Sequence, residues 1–241
     1  MESIISCFWF ALLYSVPISP LVPSAASPGP VDHEPLNLTS SEPNSGCLMR
    51  AAFPASDDTL VSQPFVYQHV WNAWPCYSGI DYMLAEDCYP VTDFQITDVY
   101  VWMIFTSGTP VTQFNLGLQG DSNGPDGTFI WSSSETEISS TPTGYTGWGY
   151  DFWCSHITIA DPPALYAGST YWFCLQAEST SGVYWLFTNN PPAWGEQAME
   201  SEDNGISWSI PTWDFGTFIV IQGTSTSLER QTWGGIKAVC W

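Results

Sequence analysis

The sequence predicts an all-β protein: an antiparallel two-sheet β-sandwich, jelly-roll-like in layout, with about eight strands. Three observations predict it. Short apolar runs rich in β-branched and aromatic residues recur from residue 60 onward, separated by Gly, Pro, Asn, Asp and Ser. The run TQFNLGLQ alternates cleanly, with Phe114, Leu116 and Leu118 on one side and Gln113, Asn115, Gly117 and Gln119 on the other. No stretch of ten or more residues carries a capped helical period. Strands without intervening helices must pair antiparallel, because parallel pairing needs long crossovers.

Taken in order, the chain opens on an apolar run at residues 4–16, followed by a Pro-rich stretch and the small residues Ser24, Ala25 and Ala26. That run is short for a membrane span and suits a secretory signal over residues 1–26, with cleavage after Ala26. Glu2 and the lack of an early Lys or Arg depart from the usual signal. Residues 27–59 are rich in Pro and Ser, have no period, and read as an extended spacer. Asn37-Leu38-Thr39 matches the short N-glycosylation pattern.

The sandwich is expected over residues 60–223. Its strands are expected at 94–105, 112–119, 129–133, 152–159, 170–177, 183–188, 206–210 and 215–222. The first of these is rich in β-branched and aromatic residues, as for a strand buried on both faces. A hairpin is expected across residues 152–176, turning near Pro163 and Leu165. Residues 224–241 form a Ser/Thr linker and a tail, WGGIKAVCW, that reads as a last strand, a tethered tail or a docking peptide.

Charge excludes several partners. The chain has 24 acidic residues against three basic ones, Arg50, Arg230 and Lys237. Nucleic acid, phosphorylated metabolites and anionic membranes all call for basic clusters that this sequence lacks. Other proteins, self-assembly at a cell surface, and neutral glycans remain as partner classes.

Seven cysteines include Cys7 in the signal region, leaving an even six without a CxxC spacing. Disulfides are the expectation for an exported chain, and six cysteines allow 15 pairings. The expected local topology favours Cys154 with Cys174, across the hairpin, and Cys76 with Cys88.

Residues 93–223 resemble, in layout, the jelly-roll modules of secreted and cell-surface bacterial proteins. The likeness rests on Asp93-Phe94, Trp102, the loop from Asp121 to Gly127, Gly168 to Trp172, Trp208, and the closing aromatic run at 215–223. It implies a fold and an extracellular habit. Pro125 departs from the module's pattern, being separated from Gly127 by Asp126.

That loop, DSNGPDG, has two readings. Asp121, Asn123 and Asp126 could supply oxygen ligands to calcium, the cofactor to consider here, while Gly124 and Gly127 allow tight curvature. The same composition makes a plain turn. Glu135 and Glu137 are spaced to share a strand face, but their polar run reads as a strand end, which makes a glycoside hydrolase a distant third reading. His33, His69 and His156 are isolated in sequence and no zinc or nucleophile-elbow motif occurs.

Of the 14 tryptophans, those at 102, 172 and 185 lie in apolar runs and read as core. Trp71, Trp74, Tyr145, Trp148, Tyr150 and Trp194 sit beside Gly, Pro or Asn and are the candidate binding residues, for a glycan or a protein partner. The function expected is therefore a secreted, non-catalytic structural, adhesive or assembly module, with neutral-glycan binding as the alternative.

Overall fold

The computed structural model describes residues 59–188, 198–210 and 216–225. They form two antiparallel sheets packed face to face, the sandwich that the alternating apolar runs predict. The expected signal and spacer up to residue 58, Trp194, Cys7, Cys47 and Cys240, and most of the expected tail lie outside the described residues, while Thr59 opens the first strand.

Strands in chain order are β1 (Thr59–Gln63), β2 (Val70–Pro75), β3 (Met83–Cys88), β4 (Phe94–Phe105), β5 (Phe114–Asp121), β6 (Pro125–Glu135) and β7 (Ile138–Gly147). They continue with β8 (Tyr150–Thr158), β9 (Ala164–Leu165), β10 (Tyr171–Ala177), β11 (Val183–Thr188), β12 (Met199–Ser201), β13 (Gly216–Thr217) and β14 (Ile219–Ser225). The smaller sheet runs β12-β3-β10-β5-β6. The larger sheet is organised around β4, flanked by β14 and β11 on one side and by β8 and β9 on the other. β1 extends it beyond β14, β2 beyond β11 and β7 beyond β8.

The twelve residues of β4 explain the centre of the fold. Phe94, Ile96, Val99, Val101, Met103 and Phe105 face the smaller sheet and join Phe173, Leu175, Leu84 and Trp185 in the main core. A bulge near Thr97 shifts the alternation, since Ile96 pairs with Gly223 and Asp98 with Gln222. Gly223 is required there, because a Cβ would run into the Gln95 carbonyl. Trp102 and Ile104 point the other way and are also buried, under a second cluster on the outer face. β4 is thus buried on both faces from Val101 to Phe105, whereas Gln95, Thr97, Asp98 and Tyr100 in its first half are only part buried. Each such side chain contributes about 1.5–3 kcal/mol of burial.

The smaller sheet is covered on its outside by residues 198–210. Trp172, Cys174, Met83 and Met199 pack there with Phe129 and Trp208. Gln119 is the polar pin: its Nε2 donates to the Gly205 carbonyl (2.8 Å) and its Oε1 accepts from Gly127 N (2.8 Å) and Trp208 Nε1 (3.0 Å). The expected strand at 206–210 is therefore a packed loop, whose backbone pairs with a strand through the Glu200–Ser209 bridge.

The expected hairpin across 152–176 is not formed. β8 lies in the larger sheet and β10 in the smaller, with Pro162, Pro163 and the two-residue β9 carrying the chain between layers. Proline cannot donate to a ladder, so this stretch crosses over instead of turning back. The disulfide expectations fail with it. Cys154 pairs with Trp102 on the outer side of the larger sheet, whereas Cys174 sits between Ala85 and Gly117 in the smaller one. Cys76 bonds through its thiol to the Leu175 carbonyl (3.0 Å), while Cys88 lies opposite Tyr171, at the other end of β10. Four residues of strand separate those ends by about 13 Å, well beyond disulfide reach. All four are free thiols, and burial pushes Cys76 and Cys154 up to about 12 and the other two further.

Candidate functional site

The outer face of the larger sheet carries the site. β7 and β8 meet in a two-residue turn, with Gly147 paired to Tyr150 and with Trp148 (φ 54°) and Gly149 (φ 84°) both left-handed. That is the turn that matches strand twist, and it normally takes Asn-Gly or Gly-Gly. A tryptophan at the first position is held against the usual steric preference. Its ring packs against Phe152 at 5.9 Å.

Residues 64–69, between β1 and β2, cross the same face. Phe65 is the hub, with Trp102, Tyr145, Phe152 and Phe218 rings at 6.2, 5.9, 6.2 and 5.3 Å. Tyr67 stacks on Tyr145 (4.4 Å, 18°) and its hydroxyl donates to the Thr146 carbonyl (3.3 Å). Tyr100 stacks on His156 (4.4 Å, 5°), whose Nε2 lies 2.8 Å from Asp98 Oδ1. The rings form one cluster, part buried and part open. Tyr150, 40% exposed, lies beside Tyr184 at its edge, and Trp71, 47% exposed, follows the cluster's Val70 along β2. Burial is the first cause that raises the Tyr67, Tyr100 and Tyr184 phenols, with neighbouring Tyr145, Asp98 and Tyr77 adding to it in turn. The phenols are neutral donors, so the face is apolar with a polar trim.

Of the binding residues expected from sequence, this geometry brings together Tyr145, Trp148 and Tyr150 on one hairpin. Trp71 is exposed on β2, whose described pairing is to β11 alone. Trp74 is core: it is 6% exposed, packs on Phe187, and donates from Nε1 to the Tyr82 hydroxyl (3.4 Å). Phe65 and Tyr67 were missed because a six-residue connection beginning with Pro64 gives no strand signal.

The Asp121–Asp126 loop is the turn joining β5 to β6. Asp121 Oδ1 accepts from Gly124 N (3.0 Å) and from Trp172 Nε1 (3.0 Å), and these bonds hold its carboxyl below the usual range. Asn123 (φ 69°) supplies the left-handed step, and Asp126 Oδ1 accepts from Thr128 N (2.8 Å). Among the described residues no group of three His, Cys, Asp or Glu side chains converges as a metal site would require.

Glu135 and Glu137 do not face one another across a cleft. Glu135 is buried, accepting from Ser133 Oγ (2.6 Å) and Ala160 N (3.3 Å), whereas Glu137 is exposed and uses its backbone carbonyl to hold Thr158 N. A different carboxyl pair does gather: the Tyr82 hydroxyl lies 2.9 Å from Glu200 Oε2 and 3.4 Å from Glu202 Oε1. Burial, opposed by the bonds from Tyr82 and Trp74, raises the Glu200 carboxyl. These bonds tie the 198–210 cover to the base of β3. In sequence that acidic run reads as a solvated loop.

No protein-family model matches the chain, and no curated protein matches it either.

Proposed function

We propose that this chain is an exported, non-catalytic β-sandwich whose aromatic outer face docks a protein partner, making it a structural, adhesive or assembly module of the cell surface. The observation that carries the reading is the ring cluster that gathers Tyr100, Phe65, Tyr145 and Trp148, with Tyr150 exposed at its edge and Trp71 exposed next to its Val70 on β2. Contiguous exposed aromatic surface of this kind marks an interface, and Trp and Tyr are the side chains that anchor one. The strained backbone at Trp148 supports it, because strain of this kind persists where a side chain must be aimed.

Net charge selects the partner's chemistry. A chain with a formal charge of -21 repels a second copy and attracts a basic surface, so a basic protein partner fits best. Export rests on the apolar run at residues 4–16 and the small residues up to Ala26. The cysteine count gives it no support, since the four described thiols are unpaired. Trp71 and Tyr150 keep neutral-glycan binding as the second reading, because an exposed ring can stack on a sugar without any basic residue.

The test is a photo-crosslinker, benzoyl-phenylalanine, placed at position 71 or 150 in the producing cells, with positions 130 and 206 as exposed controls. Protein adducts at the first pair and none at the second are expected. No adduct at 71 or 150, together with retention on a glycan array that Trp71→Ala abolishes, overturns protein docking in favour of glycan.

A further inference from the structure

A second apolar patch lies away from the aromatic face, at the end of the sandwich where β4 begins. Tyr89, Val91 and Tyr166 are 53%, 82% and 62% exposed, more than Trp71 or Tyr150. They belong to two loops knitted together. Gly168 N donates to the Pro90 carbonyl (2.9 Å), Ala167 N donates to Asp93 Oδ1 (2.8 Å), and the Tyr89 hydroxyl lies beside Gly168. The patch is thus presented on a fixed base.

The described chain leaves the fold at this same end. Ser225, the last residue of β14, pairs with Phe94, and Phe94 pairs on its other side with Leu165, next to Tyr166. Two strand spacings place the exit about 10 Å from the patch. Residues 226–241 follow, TSLERQTWGGIKAVCW. Eight residues from Ser225 to Trp233 span up to about 26 Å when extended, so the apolar part of this segment reaches the patch without strain.

Charge favours the same occupant. From Arg50 to Arg230 the chain has no intervening Lys or Arg, so apart from His69 and His156 the charged side chains of the described sandwich are acidic, Asp93 and Asp161 among those near this end. Arg230 and Lys237 are two of the three basic residues in the chain, and they flank or interrupt its last aromatic and aliphatic run. A segment carrying Trp, Ile, Val and two cations complements a surface of two tyrosines and a valine in an acidic field. We propose that residues 233–241 fold back and dock on the Tyr89, Val91 and Tyr166 patch of their own chain, covering that end of the sandwich.

The charge distribution also provides the test, because trypsin can cut this protein only after Arg50, Arg230 and Lys237. Cleavage after Arg230 and Lys237 is timed in the full chain and in the Tyr89→Asp/Tyr166→Asp double variant, whose substitutions are exposed and leave the core untouched. About tenfold faster removal of the segment in the variant is expected, with a wild-type rate independent of protein concentration. Equal rates overturn the proposal. So does a wild-type rate that slows as concentration rises, which assigns the segment to a second copy. A measurement on the unsubstituted chain guards against misfolding of the variant: tetranitromethane should nitrate Tyr89 and Tyr166 faster once trypsin has released the segment, with Tyr150 unchanged. Nitration unaffected by its release also overturns the proposal.

Discussion

Glu86 is a carboxyl placed between the two sheets, and its replacement by glutamine has a calculable consequence. It sits on the inner side of β3 at 3% exposure, where Oε2 accepts from Thr217 N (2.9 Å) and Thr217 Oγ1 (2.7 Å) of β13. Burial pushes this carboxyl from the ordinary 4.5 up to about 8, the Thr217 bonds opposing and the Asp87 charge adding to the rise. Between those values the folded protein holds a proton that the unfolded chain has released. Its contribution is therefore fully present below about pH 4.5 and lost as pH rises through about 8. A shift of that size corresponds to something on the order of 5 kcal/mol, or about 2 M in urea midpoint for a urea slope of about 2 kcal/mol/M. Growing net repulsion also weakens the fold at high pH, so the difference between wild type and Glu86→Gln isolates the buried proton. The assay is urea unfolding at pH 5, 6.5 and 8.5. The variant should match wild type near pH 5 and exceed it at pH 8.5. Midpoints that fall in parallel for both proteins refute the reasoning.

Asp121→Ala should cost about 1–3 kcal/mol, because it strands the buried Trp172 Nε1 and the Gly124 amide; thermal unfolding of wild type with calcium and with chelator, which separates turn from ion site, is run alongside. Since Asp121 is held below its usual range, its contribution is present at neutral pH and lost as pH falls through its lowered value, so the Asp121→Ala deficit should shrink in acid. Gly117→Ala should destabilise by about 1–3 kcal/mol, as the Phe129 ring lies where the new methyl would go, and Phe129→Leu should relieve part of that loss. Native-state alkylation read by peptic mapping should spare Cys76, Cys88 and Cys174 and label Cys154 first, in line with their burial. Trp71→Ala should leave the urea midpoint within about 0.5 kcal/mol of wild type while removing the position-71 interaction, which separates a docking role from a packing one.

The sandwich was legible because its signal is local. β4 and β5 announce themselves by composition and period, and β10 and β11 do so nearly as well. Among the strands missed, β1 and β7 are polar, β7 being interrupted by Pro142, β3 is acidic, β9 and β12 have two and three residues, and β2 is broken by Asn72 and ends on Pro75, so their pairing is dictated by neighbours and not by their own residues. β3 is the clearest case: MLAEDC is buried throughout, yet it carries two acids, because Glu86 finds Thr217 across the core.

Layer assignment is where local reasoning fails, and the cysteines show why. Residues 152–159 and 170–177 both read as strands, and both are strands. Whether two consecutive strands pair or part depends on the connection and on which faces must be buried, and Pro162-Pro163 admits either outcome. The outer-face aromatics settle the matter physically. Phe152 and Cys154 must lie under Phe65 and beside Trp102, which fixes β8 on β4, whereas Trp172 needs Asp121 and the 198–210 cover, which fixes β10 on β5. Those partners are 50 to 90 residues away for Trp102, Asp121 and Phe65, distances over which hydrophobic period carries no information. The same long-range packing turns the loop tyrosine Tyr145 and Trp148 into parts of one face and removes Trp74 to the core, so the candidate site exists only once the layers are assigned.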